Sequence, residues 1–345
     1  MSAELLIQYI EEQPEVIRRV IEGIRVQEIG ALEGRFRPDA KPDVYMLGSG
    51  SSLNAAHAVK SFWLPMARSL EILDPANFIL YLDKGFVSKD SVVIGISQSG
   101  QSAVTVDAIH GARKRGIFTL SVSGAENGPL SKAAHEKVLV QCGEELVGPK
   151  TKGYSACVAS LIGLALALQA KRQSQESVET ISEYLKHQTL IEKLVIKHED
   201  TNLCFVIGSG DNYGTAKEAA LKIMEIAKIP SMHFELEDSM HGPFTTVTDK
   251  TFVVVLGAEH QMKDRMVGLL RILESIGAKG MFVANGAVHD LQDEALSLDN
   301  MECDPIADIV PAQVLAYWFA VKTGKHPTQL TYDRDFVRSI TKVTN

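Results

Sequence analysis

The chain is poor in cysteine, lacks a long uncharged apolar run and has no excess of positive charge. Each absence removes a class of protein. Four cysteines in 345 residues (Cys142, Cys157, Cys204 and Cys303) stand far apart with no Cys-x-x-Cys pair. They read as reduced, mostly buried thiols of a cytoplasmic protein rather than a disulfide scaffold. The longest apolar stretch, residues 156–170, is short for a membrane span and is expected as a buried helix. Residues 1–14 carry acidic side chains where a secretory signal would be basic and then apolar. Lysine and arginine number 35 against 43 acidic residues, for a net charge of −8. That balance offers no electrostatic footprint for nucleic acid or a membrane surface. No His/Cys/Asp cluster with metal-ligand spacing is evident, so no metal site is expected. What remains is an ordinary globular composition, long enough at roughly 150 residues per domain for two cores.

The chain repeats itself. Residues 44–50 (VYMLGSG) match 204–210 (CFVIGSG) at an offset of 160, and 91–95 fall on 251–255 at the same offset. Each half then continues with a helix-like stretch (103–114; 262–276) and another apolar run (118–122; 281–284). A chance pair of Gly-Ser-Gly turns would not hold three further elements in register. The apolar runs are β-branched and do not alternate, as strands buried on both faces of a parallel sheet do. The expected fold class is therefore α/β, with a doubly wound parallel sheet present twice. Outside the repeat, helices are expected over 4–28, 180–198 and 311–322. The expected domains are a helical segment 1–36, a first α/β domain 37–180, a second 190–325 and a tail 326–345 folding over the active site.

Open α/β sheets bind ligands at the carboxyl ends of their strands. Two such loops are rich in small hydroxylated residues: 48–54 (GSGSSLN), leading into a helix expected at Ala55, and 97–102 (SQSGQS), leading into one at Ala103. A helix N-terminus with serine hydroxyls is an anion cradle. The bland alternative makes Ser52 and Ser102 N-caps and the glycines turn formers. Neither loop contains lysine or arginine and neither reads G-x-G-x-x-G, so a small phosphate monoester suits them better than a nucleotide. The second half keeps 208–214 (GSGDNYG), with a Thr215-x-x-Glu218 capping box expected to open its helix. Where the other serine loop would fall it reads Leu256-Gly257-Ala258-Glu259-His260, which repels phosphate. It supplies instead Lys222 and Glu225, three apart on one helical face, then Met240-His241-Gly242-Pro243. Alone, Lys222 and Glu225 would be an ordinary solvated ion pair. With a histidine nearby, a carboxylate can move protons at a sugar carbon and open its ring. The nearby His233 reads as structural.

These residues carry a resemblance. Ser97-Gln98-Ser99-Gly100, after the Gly-Ser-rich loop, resembles the SIS (sugar isomerase) domain signature. Residues 210–225, then His241-Gly242-Pro243 and the ending around 334–341, resemble the isomerase half of glucosamine-6-phosphate synthase. The likeness runs from about Val44 to Thr341. It implies two flavodoxin-like SIS domains in tandem, a small phosphorylated sugar or sugar-amine as ligand, and a homodimer with shared active sites. Carried over by position, it implies that Ser52, Ser97, Gln98, Ser99 and Ser102 hold the phosphate. Glu225 shuttles the proton, His241 (often the partner's) opens the ring, and Lys222 precedes the glutamate by one turn. Gly50, Ser51, Glu145, Thr151, Lys152 and Arg338 line the sugar.

There are two departures. No glutaminase domain precedes the SIS halves, so ammonia is not expected to come from glutamine. The synthase's tail lysine, which can form a Schiff base with the ketose, falls on Arg338, whose guanidinium stays charged and cannot. The resemblance then implies cleavage of the C–N bond of a 6-phosphorylated amino sugar or glycated amino acid, with neither a metal nor an organic cofactor expected. Aldose–ketose isomerisation is the alternative, and a non-catalytic phosphosugar-binding module is the rival from another class.

Overall fold

The computed structural model describes residues 3–26, 30–37, 39, 41–292 and 302–343. They form two compact units: residues 16–144, 153–174 and 330–345 in one, residues 1–15, 145–152 and 175–329 in the other. The units exchange segments. The amino-terminal helix and the stretch 145–152 join the second repeat, and the carboxyl-terminal tail joins the first.

The first-repeat unit holds five strands, β1 (Asp43–Leu47), β2 (Ser69–Leu73), β3 (Val92–Ser97), β4 (Phe118–Ser123) and β5 (Glu136–Leu139), in the order β2-β1-β3-β4-β5. Every pairing is parallel. The central strands β3 and β4 are buried at every residue, as their unalternating apolar sequences require. Leu47, Phe78, Val93, Ile109 and Leu130 pack one core.

The second-repeat unit holds β6 (Leu203–Gly208), β7 (Ser231–Glu235), β8 (Thr251–Leu256), β9 (Lys279–Ala284) and β10 (Ala287–Asp290), in the order β10-β9-β8-β6-β7. This is the same winding, except that β10 returns antiparallel on β9. Phe205, Ile207, Val253, Val255, Leu269 and Phe282 pack its core. Both sheets switch direction between their first and third strands, and the crevice at that switch point is where such folds take ligands.

Several local expectations are corrected. The helix expected over 4–28 is two, Glu4–Glu11 and Gln13–Val26, and positions 27 and 28 lie outside the described residues. Pro14 has no N–H to give the carbonyl of Ile10, and the buried Gln13 side chain donates to that carbonyl instead at 3.0 Å. The helix expected over 180–198 is likewise two, Glu176–Lys186 and Gln188–Lys197, parted at His187. The apolar stretch at 156–170 is helical to its residue 168, within the helix Lys152–Leu168, and the closing helix runs Val310–Lys322.

Candidate active site

The two serine loops lie at the switch point of the first sheet, after β1 and β3. Gly50 has φ +56° and ψ −130°, a conformation closed to side chains, and it starts the helix at once. The helix is Ser51–His57 rather than one opening at Ala55. Ser52 is therefore inside the first turn and is not an N-cap. Ser97 ends β3 and is buried; Ser99 and Ser102 are half-buried. Gly100, at φ +65°, turns the second loop, and Ser123 Oγ would stand 2.7 Å from any Cβ placed there. Ser102 precedes the helix Ala103–Lys114 without capping it. Its Oγ instead accepts from Thr105 Oγ1 at 2.9 Å, which leaves its own proton to donate. Gln98 Nε2 points to Cys142 Sγ at 3.5 Å.

A cation of the tail reaches the second of these loops, and it is Lys342 rather than Arg338. The tail forms a helix, Arg334–Thr341, on which Arg338 is exposed. Lys342, one turn on, pairs with Ser102 as an antiparallel bridge, and its Nζ donates to Ser99 Oγ at 3.1 Å. Sequence reading missed Lys342. The only available signal was its place four residues after Arg338. A cavity of about 230 Å³ in the same unit is lined by Ser123, Glu126, Ser131, Lys137 and Gln141 and contains none of the expected phosphate residues.

The other expected residues belong to the second-repeat unit. Gly210 repeats Gly50 almost angle for angle (φ +59°, ψ −128°), so the helix opens at Asp211 and runs to Lys222. This overturns the capping box. Thr215 and Glu218 lie inside the helix and are fully buried. Glu218 has other work, since its carboxylate stands 3.4 Å from Lys222 Nζ, while Glu225 makes a direct ion pair with the same ammonium. Lys222 is 1% exposed, so this is no solvated surface pair. Burial pushes Lys222 down, but Glu218 and Glu225, with Glu145 farther off, together hold it above its ordinary value.

Just past Lys222 the helix widens into a π-turn over Ile223–Ala227, which swings Glu225 into a half-buried position. The turn closes at Lys228, a non-glycine residue with φ +56°. Lys228 Nζ donates to the carbonyl of Glu225, and Lys325 Nζ donates to that of Ala227 at 2.9 Å.

The segment 145–152 is tied into this unit by Gln313 of the buried helix, whose Nε2 donates to the carbonyl of Thr151 at 3.4 Å. Glu145 is buried and accepts from the Thr151 amide (2.7 Å) and hydroxyl (2.8 Å). Lys152 is engaged elsewhere, pairing with Glu12 at 2.7 Å and lying 4.2 Å above the Tyr9 ring. His241 follows the short helix Leu236–Ser239 and stands in solvent, its side chain 72% exposed. Its Nε2 is 3.3 Å from Glu237, whose two carboxylate oxygens both accept from Arg265. His233 is half-buried, edge-on to Tyr213, and burial holds its imidazole below its ordinary pKa, as suits a structural histidine.

A family model described as the SIS domain matches residues 39–170 and 200–323, the two sheets just described. The chain belongs to the SIS domain family. This SIS-domain chain is 28% identical over 360 residues to a glutamine–fructose-6-phosphate aminotransferase [isomerizing] of Streptococcus pneumoniae, and 26% over 353 residues to one from Thermococcus kodakarensis. Each alignment covers 97% of the chain, which spans only 58% of those relatives' length.

Among solved structures, it is similar to the C-terminal domain of a glucosamine-fructose-6-phosphate aminotransferase from Francisella tularensis (TM-score 0.79, 21% identity, 94% of this chain and 98% of that one). It is also similar to a glucosamine-6-phosphate deaminase from Thermotoga maritima (TM-score 0.76, 20% identity, 95% and 98%). A third is the tagatose-6-phosphate ketose/aldose isomerase of Escherichia coli (TM-score 0.79, 15% identity, 97% and 98%). At those identities the structures attest the fold. Among the described residues no helix is long and apolar enough to cross a membrane.

Proposed function

We propose that this chain is a phosphosugar enzyme that breaks the C–N bond of a 6-phosphorylated amino sugar or glycated amino acid. The observation that carries the reading is the Glu218–Lys222–Glu225 arrangement. A buried ammonium, compensated on one side by a buried carboxylate, pins a half-buried carboxylate at a π-turn. A buried cation needs such compensation. Its consequence is a glutamate of fixed direction with one face open, which is what a proton shuttle requires.

In this reading the serine loops take the phosphate and set the register of the sugar. His241, from this chain or from a second copy in a homodimer, protonates the ring oxygen and opens the ring. Glu225 removes a proton from one of C1 and C2, giving an enolamine, and returns it to the other, giving an imine. One water then adds to the imine carbon and the C–N bond breaks. The products are a hexose 6-phosphate and an amine, or ammonia where the nitrogen is unsubstituted. The names of similar proteins, aminotransferases of fructose 6-phosphate and a deaminase of glucosamine 6-phosphate, support this substrate class.

Aldose–ketose isomerisation is the second reading, because Glu225 and His241 suffice for it and a neighbour in fold is described as such an isomerase. The deciding experiment incubates the protein with glucosamine 6-phosphate, fructoselysine 6-phosphate and fructose 6-phosphate, and assays free amine, ammonia and hexose phosphates. Release of amine or ammonia with one equivalent of hexose phosphate is expected. Turnover of fructose 6-phosphate alone, with no amine released from either nitrogenous substrate, would replace the C–N reading by the isomerase one.

A further inference from the structure

The serine loops have donors but no charge. Residues 48–54 and 97–102 contain glycine, serine, glutamine, leucine and asparagine and not one cationic side chain. A phosphate monoester near neutral pH is mostly a dianion, and neutral hydroxyls and amides leave that charge uncompensated.

The tail changes this balance. Three backbone contacts fix it at Lys342. The Lys342 amide donates to the carbonyl of Arg338 at 2.9 Å, closing the tail helix. Lys342 bridges Ser102 in antiparallel fashion, and the Val343 amide donates to the carbonyl of Gln101 at 2.9 Å. With its backbone held on the second serine loop, the half-buried Lys342 side chain crosses that loop and its Nζ donates to Ser99 Oγ at 3.1 Å. The same hydroxyl faces the Gln101 amide at 3.4 Å. The ammonium therefore stands on a side chain assigned to the phosphate.

We propose that Lys342 is a phosphate-binding residue. The docked tail supplies the cation of the anion subsite, and the subsite is complete only when residues 342–343 are paired with residues 101–102. This rests on the reading of residues 97–102 as the phosphate loop. A lysine acts here as a compact point charge, and a hydrogen bond from an ammonium to a phosphate oxygen is stronger than one between neutral groups. The selectivity that follows is for the dianion over the monoanion, and for a sugar phosphate over the free sugar.

The test is calorimetric titration of the parent protein, Lys342→Ala, Lys342→Arg and the double variant Ser97→Ala/Ser102→Ala. The probes are glucosamine 6-phosphate and inorganic phosphate, at pH 5.5 and 7.5. Lys342→Ala is expected to weaken both probes about tenfold or more at pH 7.5, the scale of one charged hydrogen bond. It should also flatten the gain in affinity between the two pH values, whereas Lys342→Arg restores most of both. A merely structural tail contact would lower stability without touching that pH difference.

Lys342→Ala binding as tightly as the parent, while the double serine variant loses binding, would overturn the role of Lys342 and leave the serine loops standing. A parent protein that binds neither probe would overturn the loop reading, and the inference with it. Borohydride reduction in the presence of fructose 6-phosphate is the last arm. A hexose 6-phosphate adduct on Lys342 by mass spectrometry would show the amine acting as a nucleophile and overturn its assignment as a phosphate ligand.

Discussion

The turn after β1 and the turn after β6 have the same backbone and opposite chemistry. Gly50 and Gly210 share one glycine-only conformation, each opening a helix at the next residue. After Gly50 come Ser51 and Ser52, half-buried hydroxyls; after Gly210 come Asp211 and Asn212, both buried. Asn212 spends its amide donors on the carbonyl of Gly257 (2.8 Å) and on Asp308 Oδ2 (2.7 Å). Glu259 leans against Gly210, its Oε1 3.5 Å from where a Cβ would stand. The second cradle is thus filled by the protein's own polar groups. Farther along the same helices the contrast reverses. At the repeat offset Glu218, Lys222 and Glu225 correspond to Ala58, Phe62 and Pro65, none of which can carry a proton. One duplicated turn thus carries half-buried hydroxyls in the first half and buried, mutually satisfied polar groups beside a buried charge cluster in the second.

Four experiments test that contrast between the halves. The largest effect is expected from Glu225→Gln, which should lower kcat on the true substrate roughly 10²–10⁴-fold while leaving phosphosugar binding nearly intact. Full turnover by that variant in steady-state assays would remove the general base from the second half. Next is Lys222→Met, which strands the buried Glu218 carboxylate and should cost about 3–5 kcal/mol in urea unfolding. Lys222→Met/Glu218→Gln should recover a good part of it, and a double variant no better than the single one would refute the compensation argument.

The equivalent glycines Gly208 and Gly48 give a smaller, paired effect. A Cβ at Gly208 would lie 2.2 Å from the carbonyl oxygen of Asn212, while at Gly48 the nearest atom is 3.0 Å away. Gly208→Ala should therefore cost up to about 3 kcal/mol and Gly48→Ala about 1 kcal/mol; equal losses would show the two turns to be as alike in packing as in angle and refute the difference in clearance.

The smallest effect concerns pH. Burial first, then the neighbouring Asp304, raises Asp308 from its ordinary 3.8 to about 7, although Asn212 and Tyr184 both donate to it. The folded form keeps its proton where the unfolded chain has lost it. Asp308 therefore makes stability fall as pH rises from about 4 to about 7, with no further change above that. Asp308→Asn should flatten the slope of Tm over this window, and an unchanged slope would assign it to other groups. The first half has no counterpart to this buried acid among the described residues, which is why the slope probes the second cradle alone.

Much of this was legible in the chain. The offset of 160 located β1 against β6, β3 against β8 and β4 against β9, because a fully buried strand can hardly be written except as a β-branched run. The serine loops could be read because small hydroxylated residues and glycine cluster just after two buried apolar runs, at the strand ends where such sheets take ligands. Glu218 could not. Thr215-x-x-Glu218 matches a capping pattern locally, and only Gly210 opening the helix at Asp211 turns both residues inward. Lys342 was out of reach for a related reason, since four residues of spacing say nothing of where a tail lands.

Sequence alone thus determined the α/β class, the duplication, the positions of the six strands that repeat and the placing of Lys222 and Glu225 three apart on one helical face. All of these depend on patterns within a few residues or on a fixed repeat. Tertiary structure alone decided that Glu218 is the buried counter-charge, that residues 145–152 belong with the second sheet, and that Lys342 rests on Ser99. Those facts arise from contacts between segments far apart in the chain, whose pairing depends on the packing of the whole unit and leaves no local signature.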